Sequence, residues 1–256
     1  PGIDSDTGAV TIAPTDGTCR DGCCGDCETG PMSYRIAVIG GTGPQGKGLG
    51  YRFARHGHTV VLGSRAAEKA VPVAEEVTAR LEGVEGAGSV TGASNTDACA
   101  GADVVLLAVP YDGHDELVAT LPLDGTVVVS CVNPLGFDKS GPYGRVVDAG
   151  EGSAAESAQR IAPGSQVVGA FHHVSAVTLW GDADYLDDED VLVCGDSVEA
   201  KQVAIELARS VTGRDGIDAG KLRLARQLEP LTAVLISINK RYKTHSGVRI
   251  SGVSGV

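Results

Sequence analysis

Residues 35–69 read RIAVIGGTGPQGKGLGYRFARHGHTVVLGSRAAEK. The stretch opens on a short apolar run, Ile36 to Ile39, rich enough in branched residues for a buried strand. A glycine turn follows at once, with Gly41, Gly43 and Gly46 spaced as G-x-G-x-x-G. A helical segment then runs to about His56, and a second apolar strand spans Thr59 to Leu62. Strand, glycine turn, helix and strand in this order form a dinucleotide-binding unit. Gly41 suits the tight turn, Gly43 the approach of a pyrophosphate to backbone N–H groups, and Gly46 close packing of helix on sheet. The free N–H groups and dipole of the helix start favour an anion there, and Pro44 fits the first helical position, which needs no N–H. Gly46 and Gly50 share one helix face, which predicts that this face lies against the strands.

The end of the second strand selects the nucleotide. A unit that holds an unphosphorylated ribose places an Asp or Glu there. This chain has Gly63-Ser64-Arg65, with Lys69 one helical turn on. Two cations and a hydroxyl suit a 2′-phosphate: Arg65 offers a bidentate fork and Lys69 a point charge. The spacing therefore predicts NADP(H), with Thr42, Pro44 and Gln45 completing the turn around it. The alternative is an ordinary helix start in which Ser64 is the N-cap and Arg65 merely exposed.

At 256 residues the chain is long enough for one or two domains. A formal charge of −12 argues against nonspecific binding to nucleic acid or an anionic membrane. The charge is unevenly spread, with an acidic run at Asp182–Asp190 and a basic region after residue 220. No apolar run reaches the ~18 residues of a membrane span, so a cytoplasmic enzyme is the expectation. Cys99, Cys131 and Cys194 sit among apolar neighbours and read as core residues. Cys19, Cys23, Cys24 and Cys27 crowd into CRDGCCGDC. Residues 1–33, poor in large apolar side chains, read as a disordered extension; a metal-binding segment is the other reading of its cysteines.

Further strands are expected at Ser89–Thr91, Asp103–Val109, Thr126–Val132, Gln166–Phe171, Val191–Gly195 and Val248–Val253. Helices are expected over residues 66–82, 114–121, 153–161, 198–210 and 222–242, with 213–220 a loop. Pro72 should confine its regular helix to the residues beyond it, and Pro230 should kink or divide the last one. Leu228, Leu231, Leu235 and Ile238 have the spacing of a seam for a partner helix. Alternating strands and helices give an α/β fold, a Rossmann-type doubly wound parallel sheet. Residues 34–172 form the nucleotide domain in this reading. Residues 173–256 form a small C-terminal α/β domain carrying the substrate cleft and a dimer contact. Ligands bind at the carboxyl ends of such strands, which here carry Val109-Pro110-Tyr111, Asn133-Pro134 and His172-His173. Plain turn chemistry is the alternative for the prolines.

Several segments, IAVIGGTGPQGKGL, VVLGSRAAEKA, VVGAFHHVSA, VLVCGDSVEAKQ, GIDAGKL and LEPLTAVLISI, resemble the NADPH-dependent coenzyme F420 reductases, and the likeness runs from about Tyr34 to Val253. The resemblance implies a usually dimeric enzyme that passes a hydride between NADP(H) and the deazaflavin coenzyme F420, with no protein nucleophile. By position, Thr42, Ser64, Arg65 and Lys69 match the family's NADP contacts. His172 matches the histidine beside the deazaflavin ring, and Val174 the apolar residue two places on. The family often has proline where this chain has Ser175. The residues alone also allow an NADPH-dependent reductase of an imine, a ketone or ferric iron, or a module that senses NADP(H) without turnover.

Overall fold

The computed structural model describes residues 33–147 and 152–253 of the chain. The crowded cysteines Cys19, Cys23, Cys24 and Cys27, and the extension that carries them, lie outside the described residues. The first half runs β1 (Arg35–Ile39), α1 (Pro44–Arg55), β2 (Thr59–Ser64), α2 (Ala67–Arg80), β3 (Val90–Ser94), α3 (Asn95–Ala98), β4 (Val104–Leu107), α4 (His114–Val118) and β5 (Val127–Ser130). A hairpin of β6 (Leu135–Asp138) and β7 (Gly141–Gly144) precedes α5 (Ala154–Ile161), β8 (Gln166–Gly169) and α6 (Ala176–Leu179). The chain then forms β9 (Leu192–Gly195), α7 (Val198–Thr212), β10 (Ile217–Gly220), a 3-10 turn at Leu222–Leu224, and α8 (Ala225–Tyr242).

Eight strands make one sheet in the order β10-β9-β8-β5-β4-β1-β2-β3. All pairs are parallel except β8 with β9, where Val168 stands opposite Gly195. Successive residues of a strand face opposite sides, and β1 shows both sides filled. Ile36 and Val38 join Leu49, Phe53, Val77 and Leu207 on one side of the sheet. Ala37 and Ile39 join Val118, Leu121, Ala155 and Ala158 on the other. Strand order reverses between β1 and β4, which opens a crevice at their carboxyl ends.

The structure departs from the sequence reading at several places, the antiparallel pairing of β8 with β9 and the short helices α3 and α6 among them. β6 and β7 were not expected, because Gly, Pro and Asp dominate their sequence. The Asp138 carboxylate accepts from the N–H groups of Ser140 (2.7 Å) and Gly141 (3.1 Å), and this closes the turn. Residues 217–220 form β10 where a loop was expected, pairing in parallel with β9. Residues 248–253 are no strand; they cross Asp190, whose N–H donates to Val248 O at 2.7 Å and whose carboxylate accepts from Ile250 N at 2.8 Å. α2 begins at Ala67, well before Pro72, and α8 runs undivided through Pro230. Each proline stands in the second turn of its helix, so only one intrahelical bond is forgone.

Candidate functional site

The turn between β1 and α1 is built by close approach. Gly41 N–H donates to Val38 O (3.1 Å) and Gly63 O (2.9 Å), which ties the turn to both strands. A Cβ on Gly46 would stand 2.6 Å from Gly40 O and 2.9 Å from Gly41 Cα, so only glycine lets the helix start there. Gly50 meets Leu62 and Val60 of β2, as its shared face with Gly46 predicts. Gly48 lies on another side, where a Cβ would come 2.7 Å from Leu179 Cβ of α6. The N–H of Gly43 is committed to Gly40 O at 2.9 Å. The N–H groups of Thr42, Gln45 and Gly46 have no acceptor among the described residues, and Pro44 has no N–H to satisfy. Three open donors at a helix N-terminus make an anion seat.

A crevice of about 460 Å³ starts at this turn, lined by Thr42, Gly43, Ser64, Arg65, Lys69, Asn95, Val109, Pro110 and Leu117 among others. Arg65 and Lys69 are exposed and have no ion-pair partner among the described residues. Ser64 is no helix cap: the N-cap of α2 is Ala66, which leaves Ser64 as the last residue of β2, facing the crevice. The sequence reading missed Asn95. Its side chain is 6% exposed and its Oδ1 has no hydrogen-bond partner, although it borders the crevice just under Gly63. The signal was the cap sequence Ser94-x-x-Asp97, in which Ser94 Oγ accepts from Asp97 N at 3.1 Å. It marks a helix start directly at a strand end.

The acceptor-side residues gather at the end of β8, at the turn Phe171–Val174. Phe171 is fully buried with φ of 62°, the left-handed region that non-glycine residues rarely enter. His172 is 2% exposed, and neither ring nitrogen makes a well-formed hydrogen bond, Val132 being the backbone group that the ring approaches. Its Nε2 lies 3.0 Å from where a Cβ on Gly169 would stand, so the ring folds back over its own strand. Burial, helped by the neighbouring His173, lowers its pKa to about 3, so the ring is neutral at any ordinary pH. His173 turns the other way and bonds Asp190 O through Nε2 at 2.7 Å. Asn133 joins this turn and not the crevice: its Nδ2 donates to His172 O at 2.9 Å, while its Oδ1 is unpartnered. Val174 is buried beside them. Burial pushes the thiols of Cys131 and Cys194 up to about 12 and that of Cys99 up to about 11, so all three stay protonated at neutral pH.

The family profile described as "NADP oxidoreductase coenzyme F420-dependent" matches residues 35–134. The chain is 40% identical over 227 residues to the F420-dependent NADP reductase of Methanothermobacter thermautotrophicus, covering 87% of this chain and 97% of that protein. It is 38% identical to the F420-dependent NADP reductase of Methanocaldococcus jannaschii, covering 86% of this chain and 99% of the relative. Among solved structures, a putative F420-dependent NADP-reductase from Arthrobacter sp. FB24 superposes with a TM-score of 0.70 at 26% identity, over 86% of this chain and all of that one. An anion-seating turn, a crevice edged with free cations and relatives matched almost end to end converge, and the chain belongs to the family of F420-dependent NADP reductases.

Proposed function

We propose that the protein passes a hydride between NADP(H) and coenzyme F420, the reaction for which its relatives are named. The observation that carries this reading is the pair of uncommitted cations, Arg65 and Lys69, at the rim of a crevice whose far end is the open N-terminus of α1. A nucleotide laid along it sets its pyrophosphate on the N–H groups of Thr42, Gln45 and Gly46. Ser64, Arg65 and Lys69 then receive the 2′-phosphate. Asn95 lines the same crevice beside Gly63 and completes its wall at the ribose. Val109 and Pro110 wall the crevice toward the nicotinamide, and Asn133 holds the turn that carries His172 and Val174, the seat of the deazaflavin. The nicotinamide and deazaflavin rings carry the reactivity between them, so the chain supplies no nucleophile. Its contribution is to hold two rings at reacting distance and to keep water from between them.

In this reading residues 34–172 hold the nucleotide and residues 173–256 complete the acceptor side and pair two copies of the chain in a homodimer. A cytoplasmic location goes with it, since both coenzymes are intracellular. Anaerobic mixing with F420 tests the function directly. NADPH should bleach the visible absorbance of the deazaflavin under catalytic amounts of protein, and NADH should do so far more weakly. A protein that binds NADPH but leaves F420 oxidised would refute the proposal.

A further inference from the structure

The turn at Phe171–Val174 is strapped by side chains from several other elements. Gln45, the second residue of α1, donates from Nε2 to Phe171 O at 3.3 Å and to Val174 O at 3.2 Å. Both partners are carbonyl oxygens, so only the amide nitrogen of Gln45 can face them. Thr232 of α8 donates to His172 O at 2.7 Å, and Asn133 donates to the same oxygen. Three carbonyls of this short turn are thus held from outside, around a residue with left-handed backbone. Such a conformation persists where its surroundings over-determine it.

Gln45 is unusual among the straps because it belongs to the nucleotide turn. Its main-chain N–H is open at the α1 anion seat while its side chain grips the far turn. We infer that Gln45 is a positioning residue, which sets the deazaflavin seat in register with the bound nucleotide and so fixes the distance between donor and acceptor rings. The inference rests on the proposed hydride transfer. It assigns Gln45 a second task, separate from nucleotide binding, and gives Thr232 a supporting one.

Two variants separate these tasks. Gln45→Met keeps the length and removes both donors; Gln45→Glu keeps the shape but sets oxygens against oxygens. Neither touches the main-chain N–H. The readouts are steady-state reduction of F420, the primary isotope effect with NADPH deuterated at the transferred position, and the NADPH Kd without acceptor. Both variants should raise the F420 KM about tenfold, lower kcat several-fold and change the isotope effect. The NADPH Kd should stay within about twofold of wild type in Gln45→Met, whereas the charge added by Gln45→Glu at the anion seat weakens NADPH as well. Thr232→Val should shift the same parameters in the same direction from the other side of the turn, and it carries the test if the Gln45 variants do not fold. Unchanged F420 kinetics in folded variants, or a loss of NADPH affinity in Gln45→Met equal to its loss of F420 affinity, would overturn the inference. Wild-type protein that failed to bleach F420 would instead overturn the proposed function and this inference with it.

Discussion

Arg65 is where single-residue chemistry has the sharpest consequence. Its guanidinium is exposed, has no partner among the described residues, and borders the crevice beside the end of β2. A charge-assisted contact to a phosphate contributes about 1.5–3 kcal/mol, roughly ten- to over a hundred-fold in affinity. Arg65→Ala should therefore weaken NADPH by that order and leave NADH almost unchanged in fluorescence titration. Equal weakening of both would make Arg65 a structural residue. The choice of NADP(H) was legible because the absence of a carboxylate after β2 is a statement about one position. Asn95 was not, because the short strand at 89–91 was ended three residues too early and its last residue, Ser94, was hidden. His172 lies just beyond the end of β8, as the strand assignment implied, but its burial could not be read from a strand end. Two adjacent histidines in sequence do not say that both are buried, as these are at 2% exposure each.

Elements were readable in proportion to how far local pattern decides them. β1, α1 and β2 follow from apolar runs and glycine spacing, and Gly48 alone needed the tertiary partner α6 to explain it. β6 and β7 were unreadable, since a hairpin of Gly, Pro and Asp owes its pairing to turn geometry. The segment after α8 was misjudged because Val248 and Ile250 pack on the core while its backbone bonds the loop residue Asp190 and no strand. That packing has a measurable electrostatic consequence. Glu189 is 7% exposed, its Oε2 has no partner, and Gly247 lies so close that a Cβ there would collide with its carboxyl. Burial, with the charge of Asp188 added, pushes the Glu189 carboxyl from 4.5 up to about 7. A carboxyl raised on folding binds its proton more tightly in the native state. Its contribution is thus fully present below about pH 4.5 and is lost as pH rises through about 7. Glu189→Gln should match wild type near pH 4.5 and exceed it increasingly up to pH 8, by no more than ~3 kcal/mol. Thermal melts of both proteins across that range check it; a constant difference in Tm would show that the carboxyl is ionised throughout.

At the scale of the whole molecule, the parallel half was legible and the reversal at β8–β9 was not. A strand's direction in a sheet depends on how its connection crosses, and the run from α6 to β9 carries no periodicity that says so. The helix α8 shows a similar limit. Its apolar spacing suggested a seam for a partner helix, but Leu228 and Leu235 are each only 8% exposed and belong to the chain's own core. What remains outside is a different surface. The hairpin packs onto α8 at Gly144 and Pro230 and leaves Phe137 at 67% exposure and Tyr143 at 48%, while Val234 of α8 stands at 54%. Phe137 lies on the hairpin face that carries Gly144 and meets α8, and Tyr143 on the other; exposed large apolar side chains beside a packed hairpin mark a contact surface. The homodimer proposed above would set this surface against itself across a two-fold axis. Sedimentation of the full chain at micromolar concentration should give twice the 26.0 kDa of one copy. Phe137→Lys should shift the mass to a single copy while NADPH still binds, since no residue of the crevice lies in the hairpin. Wild-type protein sedimenting as one copy would refute the pairing; a Phe137→Lys protein that stayed paired would move the interface elsewhere on the surface.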